Sequence, residues 1–407
     1  MNIIDKLQNK EVWLKFLDIK KMSQNMTESQ IKDMESFIVN EEYINIVSKM
    51  RDGESFLPPY RKLISKQNSQ KKRVVYTYSR EENYVLKLLT YLLIRHYDYY
   101  FCRNLYSFRS NHGVKKAITF LRNIKDLSEK YVYKVDIENY FNSVDIEKLL
   151  PMLKEIMKDN EEIYSFIKNL LTDMRVKLAS GEITDEQKGI MAGVPISSFL
   201  ANVFLSNLDW DIYGKDLLYI RYSDDIIVFC DSREQCNKVM SYIHSQLSEM
   251  NLCVNKEKEY VTNPHEQWDF LGISYKDEVF DISPMSMKKL KKKMWRKSRA
   301  LLRWKNKKRI DNIFAAKAFV KSFNRKLYDN QINSELTWTR WFFPMINTTT
   351  SLEELDHYMQ DCVRYIATES RTNKRFRFDY NMIKELGYRP LVHEYYIVKR
   401  RKDLENE

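Results

Sequence analysis

Two adjacent carboxylates set between two apolar runs constrain this chain more than any other feature. Residues 217–222 and 226–230 are rich in Leu, Ile, Val, Tyr and Phe, and only Ser223-Asp224-Asp225 separates them. Short apolar runs around a tight polar break read as a β-hairpin with acids at its turn. Aspartate is also a common turn residue, so the pair alone does not demand chemistry. Its flanks, however, are too apolar for a surface hairpin, and carboxylates that lose hydration together repel unless a cation offsets them. A further acid stands in a similar place: residues 131–135 read as a strand that ends in Asp136. Hard oxygen donors suit Mg²⁺, which keeps waters and is shared with substrate phosphates. Two such ions about 3.5–4 Å apart activate an attacking hydroxyl and stabilise a leaving oxygen in phosphoryl transfer.

Composition removes several other classes. Eight glycines in 407 residues are about 2%, against a usual ~7%, and neither G-x-G-x-x-G nor G-x-x-x-x-G-K-[ST] occurs. Dinucleotide oxidoreductases and P-loop NTPases are therefore unsupported. The five cysteines form no C-x-x-C pair and the six histidines are scattered, which argues against a zinc domain. With no charged-then-apolar leader at the start, reduced thiols and a cytoplasmic location are expected. No apolar run approaches ~18 residues, so no membrane span is expected.

The positive charge is concentrated. The chain carries a formal +12, yet residues 285–329 hold seventeen Lys/Arg against Asp311 and Asp329, a local +15, which leaves −3 elsewhere. Met287, Leu290 and Met294 share a helical face, as do Ile310, Ile313 and Phe314, and then Phe319, Phe323 and Leu327. Such a segment is either a pair of solvated amphipathic helices or a nucleic-acid-tracking element. One-signed charge beside Trp295, Trp304, Tyr328 and Trp338 favours the second, because cations neutralise phosphates while rings pack on sugar and base. Elsewhere, residues 1–70 read as helical and polar, 83–100 as an apolar helix, and 197–213 as another. Residues 236–250 follow the hairpin as a third helix, Asp145 is a candidate helix cap, and Pro284 marks a boundary. Strands flanked by helices, with acids at strand ends, imply an α+β fold.

The order of these pieces resembles the reverse transcriptase family, particularly bacterial enzymes of the group II intron and retron type. The likeness runs from about Lys71 to Ser274. Asp136-Ile137-Glu138-Asn139-Tyr140-Phe141 resembles the first catalytic motif, and Tyr222-Ser223-Asp224-Asp225 the Tyr-x-Asp-Asp motif. Between them, Gly189 to Ser197 with Asn202 resembles the nucleotide-pocket motif. Tyr106 to Arg109 resembles an element before the palm, and Asn255 to Lys258 and Phe270-Leu271-Gly272 the motifs after it.

The resemblance implies a right-hand polymerase: an N-terminal helical extension (1–70), fingers and palm (71–284), a basic helical thumb (285–346) and a C-terminal extension (347–407). It implies Asp136, Asp224 and Asp225 as catalytic acids and metal ligands, with the Ile137 carbonyl completing the shell of one of two Mg²⁺ ions (Mn²⁺ as substitute). Lys72, Arg73, Phe141, Ala192, Gly193 and Lys258 would meet the nucleotide. Phe141 would exclude ribose, and Lys258 would give a proton to pyrophosphate. Phe270, Leu271, Gly272 and the thumb's Lys291, Lys292 and Lys293 would hold primer and template. The implied partners are dNTPs, an RNA template or noncoding RNA and a DNA product, with a neighbouring protein or a homo-oligomer also expected. The pocket motif departs from the family's usual Pro-Gln-Gly, with Met191-Ala192-Gly193 in its place. That drift resembles the antiphage, abortive-infection-related reverse transcriptases, and no endonuclease, integrase or full RNase H module is expected beyond the thumb. RNA-directed DNA synthesis is the leading expectation. Template-independent or protein-primed synthesis and a catalytically silent nucleic-acid scaffold are the alternatives.

Overall fold

The computed structural model describes residues 2–23, 26–65, 72–328 and 337–405. The polar stretch expected to break the N-terminal region at 66–72 lies outside the described residues except for Lys72. The chain clusters into two compact units, Met1–Phe120 with Glu129–Pro264, and Leu121–Ser128 with His265–Glu407. The division falls at Pro264, and Pro284 starts a helix inside the second unit.

The first unit opens with four helices, α1 (Ile3–Gln8), α2 (Lys10–Ser23), α3 (Glu28–Val39) and α4 (Tyr43–Arg51). They are polar on one face only. Ile4, Leu7, Trp13, Phe16, Phe37 and Val47 are buried in the same core as Val135 and Ile226 of the central sheet. Burying apolar surface in a shared core ties these helices to the sheet. Strands β1 (Tyr60–Ser65) and β2 (Lys72–Thr77) pair antiparallel, and α5 (Arg80–His96) follows. A capping box starts α5: Ser79 Oγ accepts from the Glu82 amide at 3.2 Å, and Glu82 Oε2 accepts from the Ser79 amide at 3.0 Å.

The chain continues through α6 (Val114–Arg122), β3 (Tyr131–Asp136), α7 (Tyr140–Ser143), α8 (Ile146–Ile156), α9 (Glu161–Thr172), β4 (Arg175–Lys177) and β5 (Ile183–Asp185). Asp145 caps α8 as expected, accepting from the amides of Glu147 and Lys148. The single helix expected over 197–213 is two, α10 (Ser197–Phe204) and α11 (Ser206–Gly214). Ser206 Oγ donates to the Val203 carbonyl at 2.7 Å, a local bond of the kind that competes with a continuous helix. Then come β6 (Leu218–Tyr222), β7 (Asp225–Cys230), α12 (Arg233–Glu249) and β8 (Tyr260–Thr262). The palm-like sheet runs β6-β7-β3-β8, all antiparallel, and a second sheet runs β2-β1-β4-β5.

The second unit holds a three-stranded sheet of β9 (Trp268–Phe270), β10 (Ile273–Lys276) and β11 (Val279–Ile282), then helices α13 (Pro284–Lys308), α14 (Asn312–Leu327), α15 (Trp338–Phe342), α16 (Thr350–Thr368), α17 (Tyr380–Glu385) and α18 (Leu391–Glu405). Ser283 caps α13, with Pro284 pre-set in its first turn. Met287, Leu290 and Met294 are buried, as are Phe319, Phe323 and Leu327. Ile313 and Phe314 instead stand 41% and 57% exposed, so the expected face around Ile310 is not a core face. Helix α16 packs against both α13 and α14, burying Leu352, Leu355, Met359 and Ile366. The tail beyond 347 is thus part of one helical bundle with the basic helices. Among the described residues no helix is long and apolar enough to cross a membrane.

One interaction inside the first unit stands out energetically. Arg221 on β6 and Asp209 on α11 are both completely buried and pair at 2.5 Å, with Arg221 Nε on the other carboxylate oxygen at 2.7 Å. Removing one partner of a buried pair leaves an uncompensated charge, typically costing about 3–5 kcal/mol. Asp209→Asn should lower the urea-unfolding free energy by about that much, and a loss below about 1 kcal/mol would show the pair to be dispensable.

Candidate active site

Strand register brings the acids together. Across β3 and β7, Asp136 lies opposite Asp225, and Tyr222 opposite Asp225 closes the β6–β7 hairpin on the two residues Ser223 and Asp224. Ser223 takes a positive φ of 61°, a conformation that tight hairpin turns require and that a serine adopts only when held. It is held. Its amide donates to Ser107 Oγ at 2.9 Å, and its carbonyl accepts from Arg221 Nη1 at 3.1 Å. Ser107 in turn bonds Asn202, Ser107 Oγ lying 3.1 Å from Asn202 Oδ1 and Asn202 Nδ2 donating to the Ser107 carbonyl at 2.9 Å. Tyr219 donates to Asp209 at 2.6 Å. The Ile137 amide donates to the Asp224 carbonyl at 3.1 Å, locking the end of β3 to the turn.

Each acid has a different environment. Asp136 is 6% exposed and accepts from Lys258 Nζ at 2.6 Å and from Asn255 Nδ2 at 3.3 Å. Asp225 forms an ion pair with Lys134 Nζ at 3.1 Å, yet the same oxygen is buried with no donor aligned for a hydrogen bond. Proximity without alignment makes this a charge contact rather than a satisfied bond. Burial raises the Asp225 carboxyl, against the pull of Lys134. Burial, then the charge of Asp136, pushes the Asp224 carboxyl up to about 6. Among the described residues no three acidic, histidine or cysteine side chains converge closely enough to hold a metal ion. Asp136 and Asp225 are turned instead toward Lys258 and Lys134. The donor chemistry still fits a hard cation: three carboxylates in mutual repulsion, one with a buried oxygen that has a charge contact but no aligned hydrogen bond.

A loop lies against this site through main-chain bonds. The Ile190 amide donates to the Phe141 carbonyl at 2.8 Å, the Ala192 amide to Asn142 Oδ1 at 2.9 Å, and the Tyr76 amide on β2 to the Ala192 carbonyl at 2.8 Å. Gly189 has a φ of +52°, and a Cβ there would fall 2.6 Å from the Phe141 carbonyl oxygen, so only glycine fits. Gly193 likewise approaches the Tyr76 carbonyl oxygen, 3.0 Å from where its Cβ would stand. Phe141 is half-buried, its ring 6.3 Å from that of Phe108. Lys72 and Arg73 are exposed on β2, roughly 13 and 10 Å along the strand from Tyr76.

In the second unit, Leu271 and Gly272 form the β9–β10 turn, with φ of +52° and +88°. Phe270 is 1% exposed and belongs to the core, so only Leu271 and Gly272 are presented. Lys291 is committed to Glu354 on α16, and its Nζ stands 5.4 Å from the Tyr358 ring. Lys293 opens instead into a groove of about 610 Å³ between α13 and α14, with Arg296, Lys297, Arg299, Arg303 and Lys326. Trp295 is stacked on Tyr365 with Arg371 over it, so its face is already taken. The lysine counter-ions Lys134 and Lys258 and the Asp209–Arg221 pair carry this site as much as the acids do. Of these, only Lys258 has a sequence reading. α11 carries two aspartates, Asp209 and Asp211, and no local signal separates the buried one from the exposed one.

Residues 64–275 match the family model described as reverse transcriptase (RNA-dependent DNA polymerase). The chain is similar to the Retron Ec86 reverse transcriptase of Escherichia coli, 24% identical over 187 residues, 45% of this chain and 54% of that protein. It is also similar to the Retron Ec48 reverse transcriptase of Escherichia coli, 27% identical over 134 residues, 32% of this chain and 30% of that protein. It thus spans about half, or less, of the length of the curated relatives it matches. Among solved structures, apo telomerase from Candida tropicalis aligns with a TM-score of 0.48 at 15% identity, over 86% of this chain and 64% of that one. A Candida albicans telomerase solved with a fragment of telomeric RNA aligns with a TM-score of 0.46 at 14% identity, over 87% and 71%. Since the family model takes in just over half of its residues, this chain belongs to the reverse transcriptase (RNA-dependent DNA polymerase) family.

Proposed function

We propose that this chain synthesises DNA on an RNA template by phosphoryl transfer at Asp136, Asp224 and Asp225. The observation that carries the reading is the register of Asp136 opposite Asp225, with Asp224 in the adjoining turn and its carboxyl raised by burial and by the charge of Asp136. Members of the family use divalent metal ions. Here Asp136, Asp224 and Asp225, with the Ile137 carbonyl, would hold two Mg²⁺ ions, for which Mn²⁺ could substitute. When bound, these supply charge stabilisation to the attacking 3′-oxygen and the departing pyrophosphate. Lys258 and Lys134, which now neutralise Asp136 and Asp225, would yield those oxygens. Lys258 is then free to give a proton to pyrophosphate as the phosphorus–oxygen bond to it breaks.

The surrounding residues support polymer synthesis. The Phe141 ring beside the pocket loop would stand against a ribose 2′-hydroxyl, and Lys72 and Arg73 would meet the triphosphate. Leu271 and Gly272, with backbone freedom for close approach, would support the primer end. The groove of Lys293, Arg296 and Lys297 would take backbone phosphates, whereas Lys291 is engaged with Glu354. Similarity to retron reverse transcriptases supports a role in antiphage defence with a noncoding RNA partner, and a cytoplasmic location belongs to the same reading. A second reading, untemplated synthesis, rests on Ala192. Its methyl offers no hydrogen bond and its amide and carbonyl are both spent on Asn142 and Tyr76.

Purified protein supplied with Mg²⁺ and four dNTPs should extend co-purified RNA-primed or RNA-templated ends, with the product sequence complementary to that RNA. Asp224→Ala should lower the rate by at least about 10³-fold. Phe141→Ala should admit ribonucleotides. A product matching no RNA would favour the second reading, and equal synthesis by Asp224→Ala would end both.

The raised Asp224 carboxyl also makes a stability prediction. A carboxyl whose folded pKa lies above its unfolded value stabilises the fold while protonated, and that contribution is lost as pH rises through about 6. The difference corresponds to at most about 3 kcal/mol. Asp224→Asn should therefore melt higher than wild type at about pH 8 in the absence of metal, with the gain fading toward about pH 4. A pH-independent difference, or a loss at about pH 8, would refute the assigned environment.

A further inference from the structure

The seam between α2 and α5 carries charge that nothing in the polymerase reading uses. Phe16 of α2 packs on Tyr91 of α5 with ring centroids 5.2 Å apart, which fixes the two helices together. One helical turn from each ring stands a lysine. Lys20 Nζ lies 4.8 Å from the Phe16 ring, and Lys87 Nζ lies 5.5 Å from the Tyr84 ring. Both half-buried lysines line a pocket of about 310 Å³, together with Tyr91, Phe108, Arg109 and Pro195.

The charge balance of this pocket is one-sided. Arg109 is already spent on the Asp98 carboxylate, at 2.8 and 3.1 Å, and on the carbonyls of Cys102 and Leu105. Lys20 and Lys87 have no carboxylate within ion-pair distance among the described residues. Burial holds both ammonium groups below the ordinary lysine range, and the charge of Lys87 lowers Lys20 further. Two cations that lose water and repel each other are costly unless an anion sits between them.

The rings indicate what kind of anion. Phe108 is 37% exposed and held at a φ of +56°, an uncommon conformation for a bulky residue that fixes where the ring stands. Its centroid lies 6.3 Å from Phe141 and 6.3 Å from Tyr222. Phe108 thus lines the lysine pocket and also neighbours Phe141 and Tyr222, the last residue of β6 before the acidic turn. A free phosphate has no use for an exposed ring, whereas a strand has a phosphate for the lysines and a base for the ring.

We propose that Lys20 and Lys87 form a phosphate subsite that holds one phosphodiester of a single-stranded nucleic acid, with a neighbouring base against Phe108. The subsite rests on the polymerase reading for its ligand class, but it adds a part that the family match does not contain. Lys20 lies in the N-terminal helices, outside residues 64–275.

The test is anisotropy of a fluorescent single-stranded oligouridylate of roughly 20 nucleotides, titrated with the full chain from about 50 to about 300 mM salt. The double variant Lys20→Gln with Lys87→Gln should bind about 3- to 10-fold more weakly at the lowest salt. Its log–log salt slope should fall by about 0.7, the value for one single-strand phosphate contact. Lys20→Arg with Lys87→Arg should retain both, and Phe108→Ala should weaken binding with the slope unchanged. If the double variant does not fold, each single Gln variant is read in its place, with about half of the affinity loss expected.

Wild-type binding with an unaltered slope in the Gln variants would overturn this subsite alone. Failure of the wild type to bind any single strand would overturn the subsite and the polymerase reading together. Inorganic triphosphate provides the other arm. If the Gln variants lose only protection by triphosphate against heating, while oligouridylate binding stays the same, the site takes a free phosphate and the strand assignment is wrong.

Discussion

The buried pair of Arg221 and Asp209 is the interaction on which the site depends. Arg221 points one nitrogen at the Ser223 carbonyl while its other nitrogens are held by Asp209, with the Asn202 carbonyl also accepting from Nη2. That anchors the turn that carries Asp224, although the turn is strained and its acids repel. The arrangement follows a general logic: a charged group that is costly to bury is tolerated where it over-determines a conformation that the local sequence would not hold. Tyr219, Asn202 and Ser107 extend the same network, so the hairpin, α10, α11 and the segment before α6 share one set of polar contacts.

The acids are poised rather than satisfied. Asp136 leans on Lys258 and Asp225 on Lys134, and Asp224 has burial and two like-charged neighbours with no partner of comparable strength. The lysine counter-ions offset part of the repulsion among the three carboxylates. The pocket loop works by a different principle. Its glycines and main-chain bonds to Phe141, Asn142 and β2 set its shape through the backbone, so Ala192 can differ from a hydrogen-bonding residue without disturbing it.

Much of this was legible from residue order. The strand ending in Asp136, the hairpin at Asp224, the Asp145 cap and the helix starting at Pro284 all rest on local signals, and local signals survive folding. What was not legible depends on distant partners. The polar N-terminal helices gave no sign that Trp13 and Phe16 join the palm's core, because an amphipathic face does not name what it covers. Ile313 and Phe314 match the helical period yet face outward, and Trp295 looks free for a base until Tyr365 and Arg371 cover it. Among the lysines, Lys291 and Lys293 are indistinguishable in sequence, but the helix turns one toward Glu354 and the other into the α13–α14 groove. Asp209 cannot be told from Asp211 in sequence, because its partner is twelve residues away on a strand.

The central claim is that Asp136, Asp224 and Asp225 act together as a divalent-cation site. The most direct measurement is Mn²⁺ binding to the purified chain, followed by the loss of the free-ion electron paramagnetic resonance signal, in wild type and in Asp136→Asn. Saturable binding that weakens by at least about 10-fold in the variant is expected, as loss of one of few oxygen ligands requires. Equal Mn²⁺ binding by the two proteins would contradict it, since the acids would then be held by their lysines for structural reasons alone.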